Sequence, residues 1–284
     1  MSRELLSPTR PRTAHLRLVE KPVEAARRER FDVAGVGVDA LRFDAALERL
    51  LDAPHERRRM AVHFCALHTF VEAKKDPELR QALSKADMVT PDGMPVVWLG
   101  RLRGKKVERV CGPDTMLEVL DRSRFKGYRH FFYGGTPESL AALAEAMTRR
   151  FPGLQISGLY APPFRPLTDE EKLRVTLLIN GANPDYVWVG IGSPKQDKWL
   201  AEFRPQLKAS VLLAVGAAFD FHAGLRKRAP RWAQRSGVEW LFRLASEPRR
   251  LTWRYAMAGA TFARILIGEA LRPRRREVDF DKQW

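Results

Sequence analysis

An α/β fold, a parallel and largely buried sheet with helices on both faces, is what this sequence predicts, on three observations. Apolar strand-like runs alternate with amphipathic helix-like runs. The runs YRHFFYGG (128–135), DYVWVGIG (185–192) and ASVLLAVGAAFDF (209–221) are almost continuously apolar, as strands covered on both faces are. Glycines stand where strands give way to helices. A basic helical appendage is expected to follow this Rossmann-like body.

Residues 1–30 carry eight Lys and Arg, are interrupted by Pro8, Pro11 and Pro22, and show no periodicity; they read as a disordered basic arm. FDVAGVGVDALRF (31–43) is a strand or hairpin leading into the helix DAALERLLD. MAVHFCAL (60–67) is a buried strand, and 69–87 is helical with a break or fresh start at Pro77. MVTPDG (88–93) is a short strand ending in a turn before an apolar helix. After YRHFFYGG, Thr136 caps a helix with Pro137 at its first position. Ser193 and Pro194 open the helix after DYVWVGIG in the same way. The strand at 209–221 leads through the turn HAGLRKRAP to a helix over 230–247. The α/β body therefore spans 31–247, with the appendage and tail at 248–284.

The formal net charge is +16, concentrated at the two ends, which implies an anionic partner: lipid headgroups, diphosphates or nucleic acid. Two cysteines, Cys65 and Cys111, suit a reducing compartment. Neither a signal-peptide pattern nor a run of about 18 uncharged apolar residues occurs, so a cytoplasmic, peripheral protein is expected.

Ligands of such sheets bind beyond the carboxyl ends of the strands. Gly134, Gly135, Gly190, Gly192 and Gly216 fall there, beside helix N-termini whose free N–H groups suit phosphate. Tight strand-to-helix turns would account for the same glycines. There is no Walker A motif, and the dinucleotide fingerprint is missing too, which counts against a nucleotide-dependent oxidoreductase. His63, Cys65 and His68 lack zinc-site spacing. Asp279-Phe280-Asp281 is the sole Asp-x-Asp and sits in a polar tail, so no metal is expected. Asp92, between a strand and an apolar helix, is either a turn or cap residue or a general base taking a proton from a hydroxyl. Asp220 is placed to bind a ribose or sugar hydroxyl, or again to make a turn.

Six blocks, TPDGMPVVWLGRL, ERVCGPDTM, FFYGGTPES, DYVWVGIGSPKQDKWL, AVGAAFDFHAGLRKRAP and GVEWLFRLASEPRRLTWRY, in this order from about Phe31 to Tyr255, together resemble the WecG/TagA/CpsF glycosyltransferases. The resemblance implies an inverting, metal-independent transferase. It would move a sugar from a UDP-sugar to an undecaprenyl-diphosphate-linked saccharide, at the inner face of the cytoplasmic membrane, in cell-surface or exopolysaccharide synthesis. It implies Asp92 as general base and Arg109 near the reaction centre. Gly190, Gly192, Lys195 and Gln196 would serve the nucleotide diphosphate together with Gly134 and Gly135, and Asp220 would hold the nucleotide sugar. Arg243, Arg250 and Arg254 would reach the leaving diphosphate, and a homo-oligomer is implied. One segment departs from the pattern: the Thr-x-Asn of many relatives is Phe64-Cys65-Ala66, leaving His63 or His68 to substitute. Over 247–276, Leu251, Tyr255, Ala258, Phe262 and Ile265 recur at helical spacing beside a basic stripe, as in a helix lying on an anionic membrane or packed on the domain. A nucleic-acid-binding protein is the alternative that the charge suggests. The clustering of basic residues at the ends, not among aromatic platforms, disfavours it.

Overall fold

The computed structural model describes residues 28–246 and 248–271. The basic arm falls outside these apart from its last three residues, as does the tail with Asp279 and Asp281.

The chain opens with a two-stranded antiparallel hairpin, β1 (Arg30–Val33) and β2 (Val36–Asp39), turning at Ala34 and Gly35 with φ of 58° and 88°. Then follow α1 (Phe43–Asp52), β3 (Met60–Cys65), α2 (Leu67–Ala73), α3 (Pro77–Ser84), β4 (Met88–Pro91), α4 (Met94–Leu102) and α5 (Gly112–Ser123). The second half runs β5 (Arg129–Gly134), α6 (Pro137–Arg150), β6 (Gln155–Tyr160), α7 (Asp169–Ala182), β7 (Tyr186–Gly190), α8 (Lys195–Phe203) and β8 (Val211–Ala214). Four helices close the described chain: α9 (Ala218–His222), α10 (Arg231–Arg235), α11 (Glu239–Ser246) and α12 (Pro248–Leu271).

Six strands form one parallel sheet in the order β4-β3-β8-β7-β5-β6. Strand residues alternate between two cores. Val62, Phe132, Trp188 and Leu213 face α1, α5, α6 and α9, whereas Ala61, Phe131, Val187 and Leu212 face α7 and α8. That coverage on both faces is why the strands are apolar throughout. A third core joins the hairpin to α2, α3 and α4. Buried Asp39 fastens the hairpin to the sheet edge: its carboxylate accepts from Val89 N on β4 at 2.8 Å and from Arg30 Nε at 3.3 Å. It thereby pairs an N–H that an edge strand would leave open.

The capping of α6 by Thr136, reciprocated by Ser139, is as expected. Pro77 does begin a new helix, capped by Asp76. Three details differ from the sequence reading. Strand β8 stops at Ala214 because Gly216, at φ 58°, turns the chain into α9, so Asp220 is helical. The helix expected over 230–247 divides at Gly237. Its φ is 80°, and a Cβ there would lie 2.7 Å from the Trp98 ring. Ser193 does not cap α8; its hydroxyl donates to the Asp197 carboxylate at 2.7 Å. Of the two expectations for the apolar stripe of α12, packing on the domain is what this part of it shows: Ala258 is buried and Phe262 and Ile265 pack on the third core.

Candidate active site

A cavity of about 860 Å³ opens at the carboxyl ends of the strands. Phe64 near the end of β3 and Ala66 and His68 just after it reach the cavity, as do Asp92 after β4 and Gly192, Ser193 and Gln196 after β7. Residues 214–218 supply the floor after β8. This is the crevice that doubly wound sheets offer their ligands. Among the described residues, the lysine and arginine side chains lining it are Arg226, Lys227 and Arg228, from the loop after α9. Arg228 is held in a bidentate pair by Asp114 on α5, with Nη2 to Oδ2 at 3.0 Å. The Cys111 thiol donates to the same Oδ2 at 2.9 Å. Burial would raise the Asp114 carboxyl, but these bonds outweigh it and hold the group below the usual carboxylate range. The result is a fixed, part-buried guanidinium, geometry suited to a phosphate.

Gln196 is fixed as well. Its Nε2 donates to the Ala214 carbonyl at 3.1 Å, and its buried Oε1 has no hydrogen-bond partner. The free atom is therefore an acceptor, so the side chain can receive a ligand N–H but cannot donate to a phosphate oxygen through it.

A second, apolar groove of about 350 Å³ runs alongside, lined by Leu67, Met94, Pro95, Trp98, Trp240 and Phe262 among others. Asp92, His68, Ala66 and Glu239 line both spaces, so they mark the rim between them. Asp92 is placed there by the β4–α4 turn. Its N–H donates to the Cys65 carbonyl at 3.1 Å, and its own carbonyl accepts from Arg109 Nε at 2.6 Å. Helix α4 is capped at Gly93 without any side-chain bond, so the Asp92 carboxylate is not its cap. Arg109 Nη2 lies 3.6 Å from Asp92 Oδ1 and 2.7 Å from Glu239 Oε2. Burial opposes its charge, but the neighbouring Asp92 and Glu239 carboxylates favour it, and the guanidinium stays protonated.

Other expected residues lie elsewhere. Gly134 packs on the Gly190 backbone, where a Cβ would come within 2.5 Å of the Gly190 carbonyl oxygen, and a Cβ on Gly190 would meet Phe219 at 2.7 Å. These two glycines close the strand ends and, like Gly135, are not on the cavity wall. Lys195 is exposed at the start of α8, off the wall. Asp220 pairs with Arg226 at 3.1 Å and so stands behind a cavity residue. Arg243 falls on α11 and Arg250 and Arg254 on α12, but their side chains are outside the described residues. Of the two substitute histidines, His68 reaches the rim, whereas His63 is buried with Nδ1 2.8 Å from Asp197 Oδ1. Arg226, Lys227, Arg228 and Glu239 were not singled out from the sequence. The available signal was three cations within LRKRAP, directly after a strand and turn. Among the described residues no three His, Cys, Asp or Glu side chains gather as a metal site requires.

Residues 31–276 match the model of the glycosyl transferase WecG/TagA/CpsF family. The chain belongs to that family. It is 34% identical over 187 residues to an N-acetylglucosaminyldiphosphoundecaprenol N-acetyl-beta-D-mannosaminyltransferase of Bacillus spizizenii, covering 64% of this chain and 69% of the relative. It is 30% identical over 198 residues to a protein of the same description from Bacillus subtilis, covering 69% and 75%. In this glycosyl transferase the wall position of Phe64 and Ala66 makes that side of the cavity apolar. Among the described residues, no helix is long and apolar enough to cross a membrane.

Proposed function

We propose that this transferase moves a sugar from a UDP-sugar to a saccharide carried on a polyprenyl diphosphate, with inversion and without a metal. The observation that carries the reading is Asp92 on the rim shared by a cation-lined cavity and an apolar groove. The cavity takes the donor. Lys227 and Arg228 face its diphosphate, and the Gln196 Oε1 accepts from an N–H such as the uracil imide. The groove takes the acceptor's first prenyl units, leaving its sugar beside Asp92.

Asp92 then takes the proton of the acceptor hydroxyl as that oxygen bonds to the anomeric carbon and the bond to UDP breaks. One displacement inverts the anomeric centre. The negative charge developing on UDP is met by Lys227 and Arg228, so the chain's own cations supply what a metal would elsewhere. The names of the relatives favour N-acetylmannosamine as the sugar and diphospholipid-linked N-acetylglucosamine as the acceptor. Work on such an acceptor puts the protein at the inner membrane face as a peripheral protein.

UDP should raise the melting temperature in the presence of a chelator, whereas duplex DNA and NAD should not. Asp92→Asn should keep that UDP protection and lose transfer to a prenyl-diphosphate N-acetylglucosamine acceptor, with UDP-N-acetylmannosamine first in the donor panel. No response to UDP together with steeply salt-dependent DNA binding would refute the reading.

A further inference from the structure

The turn from β7 into α8 puts two polar side chains on the cavity, Ser193 and Gln196. Both point a donor into the protein. Gln196 is 4% exposed and gives an Nε2 hydrogen to the Ala214 carbonyl, which leaves its buried Oε1 without a partner. The Ser193 hydroxyl gives its single hydrogen to Asp197 Oδ2 at 2.7 Å, so the lone pairs of Oγ are what it still offers. Asp197 makes that arrangement one-way. It is buried in the first turn of α8, where the helix end favours negative charge. His63 Nδ1 lies 2.8 Å from Oδ1, so each carboxylate oxygen is met by a side chain of the protein. A carboxylate only accepts, and the Ser193 hydrogen stays turned toward it.

We propose that Ser193 and Gln196 form an acceptor pair, set by Asp197 and the Ala214 carbonyl, that selects the donor substrate by its neutral N–H and O–H groups. This rests on the reading of the cavity as the nucleotide-sugar site. Phosphate oxygens are acceptors themselves, so the diphosphate gains nothing from Ser193 Oγ or Gln196 Oε1 and belongs with Lys227 and Arg228. Two parts of a nucleotide sugar carry the hydrogens this pair can take: the imide of uracil, and the acetamido and hydroxyl groups of the sugar. A ligand that turned an acceptor to Gln196 would shut Oε1 away from water unpaired, at a cost of about tenfold in affinity. Asp197 touches no ligand in this arrangement. It is a positioning residue that acts through Ser193.

The test is the dissociation constant of the full chain for paired probes that differ in one hydrogen-bonding group. CDP replaces the imide N–H of UDP by a bare nitrogen acceptor, and UDP-mannose lacks the acetamido group of UDP-N-acetylmannosamine. The richer probe should bind about tenfold more tightly in at least one of these comparisons, which identifies the group that is read. Gln196→Met, of similar length, should erase that preference by weakening the richer probe alone, and Ser193→Ala should reduce it. Asp197→Ala should match Ser193→Ala and cost nothing further once Ser193 is alanine. No preference in either comparison, or one that survives both Gln196→Met and Ser193→Ala, overturns the pair. Equal weakening of both probes of a comparison marks a structural role and overturns it as well. These two variants decide the pair whether or not Asp197→Ala folds. Added loss from Asp197→Ala in the Ser193→Ala background overturns the role of Asp197 alone. Failure of the unaltered chain to bind UDP at all defeats the nucleotide-sugar reading, and the pair with it.

Discussion

His130 sits in the middle of β5 with both ring nitrogens committed. Nδ1 accepts from Trp188 Nε1 at 3.1 Å, which leaves Nε2–H to donate to Ser123 Oγ at 2.9 Å, and the ring stacks on Tyr186 at 5.0 Å. Burial pulls its pKa from 6.5 down to about 3. The unfolded chain therefore binds a proton near pH 6.5 that the folded chain refuses until about pH 3. Stability from this group is complete above pH 6.5 and drains away as pH falls, by about 1.4 kcal/mol per unit. His222, half-buried and lowered to about 4, adds to the slope. Melting measured from pH 7.5 to 4.5 should show the loss, and His130→Gln, which does not titrate, should flatten the slope whatever it does to the plateau. Arg228 gives a second test at this scale. Arg228→Lys should raise the donor KM about tenfold, since lysine cannot span both Asp114 oxygens and so loses the bidentate anchor that fixes the charge on the wall. Equal donor KM in the two proteins would place the diphosphate elsewhere. Asp92 was legible in the sequence because a carboxylate between strand and apolar helix is a local pattern. Arg228 and Glu239 were not, since their partners Asp114 and Arg109 lie 114 and 130 residues away.

Among the elements, β3, β5, β7 and β8 announced themselves because burial on both faces demands unbroken apolar runs. Strand β6 did not. It is the edge strand, QISGLY leaves Gln155 and Leu159 exposed, and Gly158 interrupts it. Helix α7 escaped for a related reason. Leu173, Leu177 and Leu178 are 56, 62 and 47% exposed while Val175 and Ile179 are buried, so apolar residues ring the helix and no single stripe stands out. The periodicity of α12 was legible, but only three-dimensional packing shows that Ala258, Phe262 and Ile265 meet the domain. Ala258, Gly259 and Phe262 also wall the apolar groove. Deleting residues 248–284 should therefore abolish transfer to a prenyl acceptor while UDP protection persists. It should also cut sedimentation with anionic vesicles, because each arginine removed near the surface is worth about 1 kcal/mol. A truncated chain with undiminished transfer would remove α12 from the acceptor site.

For the molecule as a whole, composition was a guide to the sign of the partner and to little else. The charge of +16 admits lipid, diphosphate or nucleic acid alike. The order of the strands, which brings β3, β8 and β7 side by side and so assembles one crevice from three distant segments, decides where an anion can bind. A rim common to two spaces has a kinetic corollary. Neither reactant has to pass through the other's compartment, so both can be resident when the glycosyl bond changes hands. Double-reciprocal plots for donor and acceptor should intersect, not run parallel, and UDP should compete with the donor while leaving the acceptor's access open. Parallel lines would demand a sugar parked covalently on the protein between two half-reactions.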